Sequence, residues 1–195
     1  MTGKLFLLSG PSGVGKGTVQ KMLKEKHPEF IYPLSITTRT PRPGERDGEI
    51  YHFISNEQFD HYIQNEELLE WATVHQYDRY GTLKDPILKA LTEGNVVIRE
   101  VDVQGWKTIM QSDIQREVVS IFIRPPSLEA LKQRIIQRAP INDKELDARL
   151  KDVATEMEYA QEYTHQIISE ENQQENVYKE VEEIIVREMK EQFPS

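Results

Sequence analysis

The sequence predicts an α/β fold built on a parallel central sheet, and three observations carry that expectation. Short apolar runs such as Leu5-Phe6-Leu7-Leu8 and Val118–Ile123 have the length and composition of strands buried on both faces. Between such runs lie segments whose apolar residues recur every three or four positions, as helices with one buried face do. A glycine-rich turn follows the first run directly and leads into one of these helices. Strands and helices in alternation make a parallel sheet covered by helices.

The elements follow in order. After the strand at Leu5–Leu8, a helix over Lys16–Lys26 carries Val19, Met22 and Leu23 on one face. Ser35 to Asp47 holds Pro41, Pro43 and Gly44 and reads as a loop or strand edge. Helices are expected near Asn56–Asn65 and near Asp85–Glu93, the second stopped by Gly94. Val96–Val101 is a strand, a helix follows Gly105, and the strand Val118–Ile123 ends before Pro125-Pro126. Ser127 suits the N-cap of a helix bearing Leu128, Leu131 and Ile135. A break at Ala139-Pro140 leads to a long helix with Leu146, Leu150, Val153, Met157 and Ala160. Ile167-Ile168 is a short strand, and the last helix aligns Val177, Val181, Ile184, Ile185 and Met189. No repeat or low-complexity segment interrupts this order.

The 195 residues suit one compact domain, or one core with small inserts. A chain of this size buries roughly 70% of its unfolded surface, so it needs no covalent staples. With no cysteine there can be no disulfide, thiolate metal site or cysteine nucleophile. The first apolar run is too short for a signal core or a membrane span, so a soluble cytoplasmic protein is expected, with no membrane partner. A net charge of −9 disfavours binding to nucleic acid, which needs a basic footprint. The positive charge is instead clustered, at Arg39, Arg42 and Arg46 and again at Arg134, Arg138 and Arg149. Local basic clusters in an acidic chain suit a small anionic ligand.

The most specific short pattern is Gly10-Pro11-Ser12-Gly13-Val14-Gly15-Lys16-Gly17-Thr18, placed between an apolar strand and a helix. Its skeleton is Gly-x-x-x-x-Gly-Lys, a P-loop. Glycines let backbone N–H groups approach phosphate oxygens, and the helix N-terminus adds its unpaired donors and positive dipole end. Lys16 supplies a mobile charge for the terminal phosphates. The hydroxyl usually found next to the lysine is displaced by one, to Thr18, which is the candidate ligand for Mg²⁺.

A P-loop alone names no substrate. The segments Ser35–Glu45, Asp47–Phe53, Leu69-Glu70-Trp71-Ala72, Tyr80-Gly81-Thr82 and Glu100–Gly105 resemble, in order, the signatures of the guanylate kinase family. The resemblance covers nearly the whole chain. It implies a P-loop NTPase-type three-layer core at about 1–34, 83–126 and 161–195, a GMP-binding region at about 35–82 and a helical lid at about 127–160. Both inserts are then expected to close on the core when ATP and GMP bind.

The resemblance also implies roles. Arg39, Arg42, Tyr51 and Tyr80 hold the GMP phosphate; Ser35, Glu70 and Thr82 read the guanine. A carboxylate such as Glu70 can accept from both N1–H and the 2-amino group, which adenine cannot offer together. Glu100 and Asp102 alternate along one strand, and Asp102 is expected to orient a Mg²⁺-bound water or to face GMP. Lys16, Arg134, Arg138 and Arg149 are the expected catalytic cations, acting with Mg²⁺ on ATP. The implied reaction is ATP-dependent phosphorylation of GMP, and of dGMP, by a monomer or homodimer. The alternative is a relative that keeps the binding site and has weak turnover or none.

Four features depart from the family's pattern. Arg138-Ala139-Pro140 stands where Arg-Gly-Thr is usual, and the stretch before Tyr80 is one residue longer. Ser169-Glu170 replaces an Asn-Asp pair near the adenine. Arg99 interrupts an apolar strand and Trp106 replaces a small residue; nothing in the sequence accounts for Arg99.

Overall fold

The computed structural model describes residues 3–74, 77–138, 141–171 and 173–190. In chain order the elements are β1 (Lys4–Ser9), α1 (Lys16–Lys26), β2 (Ser35–Thr37), β3 (Tyr51–Phe53), α2 (Asn56–Gln64), β4 (Leu68–Val74), β5 (Asp78–Leu83), α3 (Lys84–Thr92) and β6 (Val96–Glu100). They continue with α4 (Val103–Met110), β7 (Val118–Arg124), α5 (Leu128–Arg138), α6 (Asp143–Glu158), β8 (His165–Ile168) and α7 (Gln174–Lys190). One four-stranded sheet has the order β6-β1-β7-β8, and a second has the order β3-β2-β5-β4.

The residues fall into two compact units. The first comprises Met1–Leu5, Phe30–Arg99 and Gln104–Val118; the second comprises Phe6–Glu29, Glu100–Val103 and Val119–Ser195.

In the second unit, β7 and β8 pair in parallel from Ile121↔His165 to Arg124↔Ile168. Phe6, Leu7, Leu8, Ile121, Phe122 and Ile123 are fully buried, as apolar strands covered on both faces should be. Helices α1 and α7 pack together, with Val19 and Leu23 of one and Val181 and Ile185 of the other in the core. Helices α5 and α6 share a smaller apolar cluster of Leu131, Ile135, Leu146 and Val153, with Ile141, Leu150 and Met157 against it. Both are capped, the first by the residue the sequence suggests. Ala130 N donates to Ser127 Oγ at 3.1 Å, and Glu145 N donates to Asn142 Oδ1 at 3.0 Å. Ala160 falls just beyond α6, in a 3₁₀ turn.

The first unit contains the second sheet. Strand β2 pairs in parallel with β3 and antiparallel with β5, and β5 is antiparallel to β4. Sequence patterning gives no sign of β3, β4 or β5, and the cause is local. The register of β4 shifts between Leu68 and Glu70, so Leu69 and Glu70 are both buried and the alternation that marks a half-buried strand is lost. Helix α2 is fixed by a capping box: Gln58 N donates to Ser55 Oγ, and Ser55 N donates to Gln58 Oε1. Trp106 and Ile109 bury one face of α4. That helix starts at Val103, earlier than its glycine suggests.

Candidate active site

The loop after β1 is shaped around two glycines. Gly10 has φ +139°, and a Cβ there would stand 2.0 Å from the Ile123 carbonyl oxygen, so only glycine fits between the loop and β7. Gly15, at φ 106°, turns the chain into α1 as its N-cap. No side chain caps this end, and the first N–H groups of a helix have no intrahelical acceptor. The resulting donors and dipole make an anion cradle.

Lys16 opens α1 and folds back over the loop. Its Nζ donates to the Gly10 carbonyl at 2.6 Å and to the Pro11 carbonyl at 3.2 Å. It also stands 3.7 Å from Glu100 Oε1. Glu100, to which the sequence assigns no role of its own, is therefore the carboxylate beside the lysine. Asp102 lies past the end of β6, not on it, and is exposed. Val101 N still bonds to Leu8 O at 3.1 Å, and the chain turns into α4 immediately afterwards. Thr18 is exposed in the first turn of α1.

Three further groups gather in this unit. Arg134 on α5 donates to Ser169, through Nη1 to Oγ at 3.3 Å and through Nη2 to the carbonyl at 2.7 Å. Ser169 Oγ in turn donates to the Val14 carbonyl of the loop at 2.9 Å, so Ser169 links Arg134 to the cradle. Burial pushes the Glu156 carboxyl up to about 7; Lys16 opposes the shift, and Asp102 and Asp152 add to it. Arg149 is exposed and pairs with Glu145 at 2.8 Å. The Arg138 side chain, Ala139 and Pro140 lie outside the described residues.

The first unit holds a different constellation. Arg39 is the hub of its polar part. Its Nε donates to Tyr80 Oη at 3.1 Å, its Nη1 to the Thr40 carbonyl at 3.0 Å, and its Nη2 to both carboxylate oxygens of Glu45. The guanidinium also lies 5.6 Å from the Tyr51 ring centre, and the Tyr51 and Tyr80 rings meet edge to face at 5.5 Å. Arg39, Tyr51 and Tyr80 are thus together as the sequence leads one to expect. Arg42 is exposed and joins them through its backbone, whose N–H donates to Glu45 Oε2 at 2.8 Å. That bond, more than the Arg39 guanidinium, holds the Glu45 carboxyl below its ordinary range against the opposing effect of desolvation.

Glu70 and Thr82 are cross-strand partners on β4 and β5, both buried, and the Thr82 hydroxyl donates to Glu70 Oε1. The antiparallel register of β4 and β5 sets Glu70 opposite Thr82 and Ala72 opposite Tyr80. Arg99 joins them from β6. Its Nη2 stands 3.8 Å from Glu70 Oε1 and donates to Ser35 Oγ at 2.6 Å, while its Nη1 donates to the Pro33 carbonyl at 3.1 Å. Sequence reasoning gave Glu45 and Glu100 no role of their own, noted Ser169 only as a departure from the family's pattern, and noticed Arg99 as a charge inside an apolar strand without explaining it.

A phosphate-cradling loop between a buried strand and a helix, in a fold with a parallel sheet, defines a P-loop protein of the α/β class. The model of one family, guanylate kinase, matches residues 2–188. A guanylate kinase of Clostridium perfringens (strain 13 / Type A) is 41% identical over 186 residues, covering 95% of this chain and 84% of the relative. One from Trichodesmium erythraeum (strain IMS101) is 38% identical over 169 residues, covering 87% and 89%. Among solved structures, guanylate kinase from Anaplasma phagocytophilum aligns with a TM-score of 0.74 at 29% identity, covering 96% of this chain and 87% of the other. The chain belongs to the guanylate kinase family.

Proposed function

We propose that this protein transfers the terminal phosphoryl group of ATP to GMP, and also to dGMP, giving ADP and the corresponding diphosphate. Family membership over residues 2–188 supports the reaction class. The observation that carries the acceptor is the buried Glu70 carboxylate, held across the strand pair by Thr82 and close to Ser35 through Arg99. A buried carboxylate accepts from the N1–H and 2-amino groups of guanine, whereas adenine offers it an acceptor at N1 and no amino group at position 2. A site built to pair such donors rejects an analogue lacking them by about 10⁴. The deoxyribose of dGMP leaves that recognition unchanged.

In this reading the loop from Gly10 to Thr18 cradles the ATP phosphates with backbone N–H groups, and Lys16 leaves the Gly10 and Pro11 carbonyls to reach the terminal phosphates. Arg39, Arg42, Tyr51 and Tyr80 hold the acceptor phosphate by charge-assisted hydrogen bonds. An oxygen of that phosphate attacks the γ-phosphorus as the bond to ADP breaks. The attacking oxygen is already anionic, so no general base is needed. Positioning and charge neutralisation supply the catalysis, with Lys16 and the lid arginines Arg134, Arg138 and Arg149 as the cations.

The donors near the cradle fit Mg²⁺. Thr18, Glu100 and Asp102 offer only oxygen, the ligand type this hard ion takes, and one or two carboxylates with phosphates and waters suffice for it. When bound, Mg²⁺ would neutralise charge building on the phosphate oxygens. Among the described residues no helix is long and apolar enough to cross a membrane. The cytoplasm, with its supply of ATP and nucleoside monophosphates, is the compartment this reaction suits.

A coupled assay of ADP release with ATP and Mg²⁺, comparing GMP, dGMP, AMP and UMP as acceptors, tests the reading. Turnover confined to GMP and dGMP is the expected result. Folded protein with no turnover on any acceptor would overturn it.

A further inference from the structure

The segment before β2 runs alongside β6. Ile31 bridges to Val97 in parallel, with Ile31 N bonded to Val96 O and Ile98 N bonded to Ile31 O, each at 2.9 Å. This pairing brings Pro33 level with Arg99, a residue 9% exposed whose guanidinium donates to the Pro33 carbonyl and on to the Ser35 hydroxyl. A buried cation is costly unless charge and hydrogen bonds compensate it. Here they include the Pro33 carbonyl, the Ser35 hydroxyl and the Glu70 carboxylate. Ser35 and Glu70 are the residues proposed above to read the acceptor base.

We propose that Arg99 is a positioning residue for base selectivity, acting chiefly through the Ser35 hydroxyl. A hydroxyl that accepts a hydrogen bond from a guanidinium is polarised and becomes a stronger donor through its own hydrogen. Arg99 Nη2 occupies one lone pair of Ser35 Oγ, so the favoured remaining role of that hydroxyl is to donate. The 3.8 Å separation from Glu70 is too long for a hydrogen bond but close enough to offset the buried negative charge. Glu70 Oε1 accepts from the Thr82 hydroxyl, and a carboxylate has further lone pairs with which to accept. Together Ser35 and Glu70 present a donor beside an acceptor. That is the complement of a 6-oxopurine, which carries a carbonyl at position 6 and N–H at position 1. A 6-aminopurine presents the reverse pattern at both atoms.

The proposal rests on the reading that Ser35 and Glu70 hold the acceptor base. It is tested by steady-state kinetics of Arg99→Met and Arg99→Lys with GMP, IMP and AMP. IMP keeps the 6-carbonyl and N1–H but lacks the 2-amino group. For Arg99→Met we expect KM for GMP and for IMP to rise together by tenfold or more. The change in kcat should stay within threefold, KM for ATP should be unmoved, and the preference for GMP over AMP should fall at least tenfold. In a Ser35→Ala background the same substitution should raise KM by only about twofold, because the hydroxyl through which it acts is gone. Arg99→Lys keeps the charge but cannot hold Pro33 and Ser35 together, so it should show the same pattern at a smaller amplitude. It decides the matter if Arg99→Met fails to fold. A lower Tm with KM and the base preference unchanged would reduce Arg99 to a structural role and overturn the proposal. An equal rise in KM in both backgrounds would do the same. Glu70→Gln and Ser35→Ala separate the two layers. If both leave GMP selectivity intact, the base-site reading falls and this proposal falls with it; if they abolish it while Arg99→Met does not, only this proposal falls.

Discussion

Arg39 and Glu45 form a two-pronged ion pair, with Arg39 Nη2 donating to Glu45 Oε1 at 3.0 Å and to Oε2 at 2.9 Å. The same carboxylate accepts from Arg42 N, so Glu45 fixes the guanidinium of one proposed phosphate ligand and the backbone of another. A side chain held in place before binding loses less entropy when the ligand arrives. Glu45→Ala is therefore expected to raise KM for GMP about tenfold, in line with the loss of one charge-assisted bond. Turnover at saturating GMP should change by less than about threefold. Steady-state kinetics checks this, and an unchanged KM would show that Arg39 needs no such anchor.

Lys16 is held by two carbonyls of its own loop and by Glu100. Those bonds are weak competitors for a polyphosphate, which carries full negative charge. Replacing Lys16 with alanine removes a cation that acts on charge developing in the transition state, so the loss belongs in kcat. A fall of about 10³, or about 4 kcal/mol, is expected, with thermal stability close to native. A variant that still turns over at more than a tenth of the native rate would remove Lys16 from the catalytic set.

Much of this was legible in the sequence for identifiable reasons. The strand at β1, the loop from Gly10 to Thr18 and helix α1 announce themselves because apolar run, glycines, lysine and helical period all agree. Ser127 capped its helix as its position suggests. The second sheet was not legible. Its strands are short, β4 carries a register shift, and β5 includes Arg79 and Gly81, so no period of two survives. Arg99 could be noticed but not explained. Its partners Pro33, Ser35 and Glu70 are distant in sequence and meet only in the fold, where Ile31 pairs with Val97 and β4 carries Glu70. Ser169, as the link between Arg134 and Val14, is a fact of tertiary contact alone.

The arginines of α5 and α6 are expected to divide their labour. Arg134 is anchored to Ser169, whose hydroxyl holds the cradle, so its loss should disturb ATP binding as well as turnover. Arg138 is four residues further along, at the end of the same helix. Arg138→Ala is expected to lower kcat by about 10³ with KM for GMP within about threefold of native, as for an arginine acting on the transferring phosphoryl group. Single-turnover and steady-state measurements on the same preparation separate chemistry from binding. Native turnover in Arg138→Ala would sink its catalytic assignment.

Glu156 makes the last expectation a matter of pH. Burial pushes its carboxyl from the ordinary 4.5 up to about 7, with Asp102 and Asp152 adding to the shift and Lys16 opposing it. The folded protein thus binds this proton more tightly than the unfolded chain does. Its stabilising contribution is fully present below about pH 4.5 and is lost as the pH rises through about 7, where the folded state must accept a buried charge. Glu156→Gln mimics the protonated form at every pH, so it should track native stability in acid and exceed it in neutral and alkaline solution. Thermal melts of both proteins between about pH 5 and pH 8 read this directly, because the difference in Tm should open as the pH rises. A difference that stays constant across that range would mean that Glu156 titrates no differently in the folded and unfolded chains. Its neighbours would then leave its proton affinity unchanged.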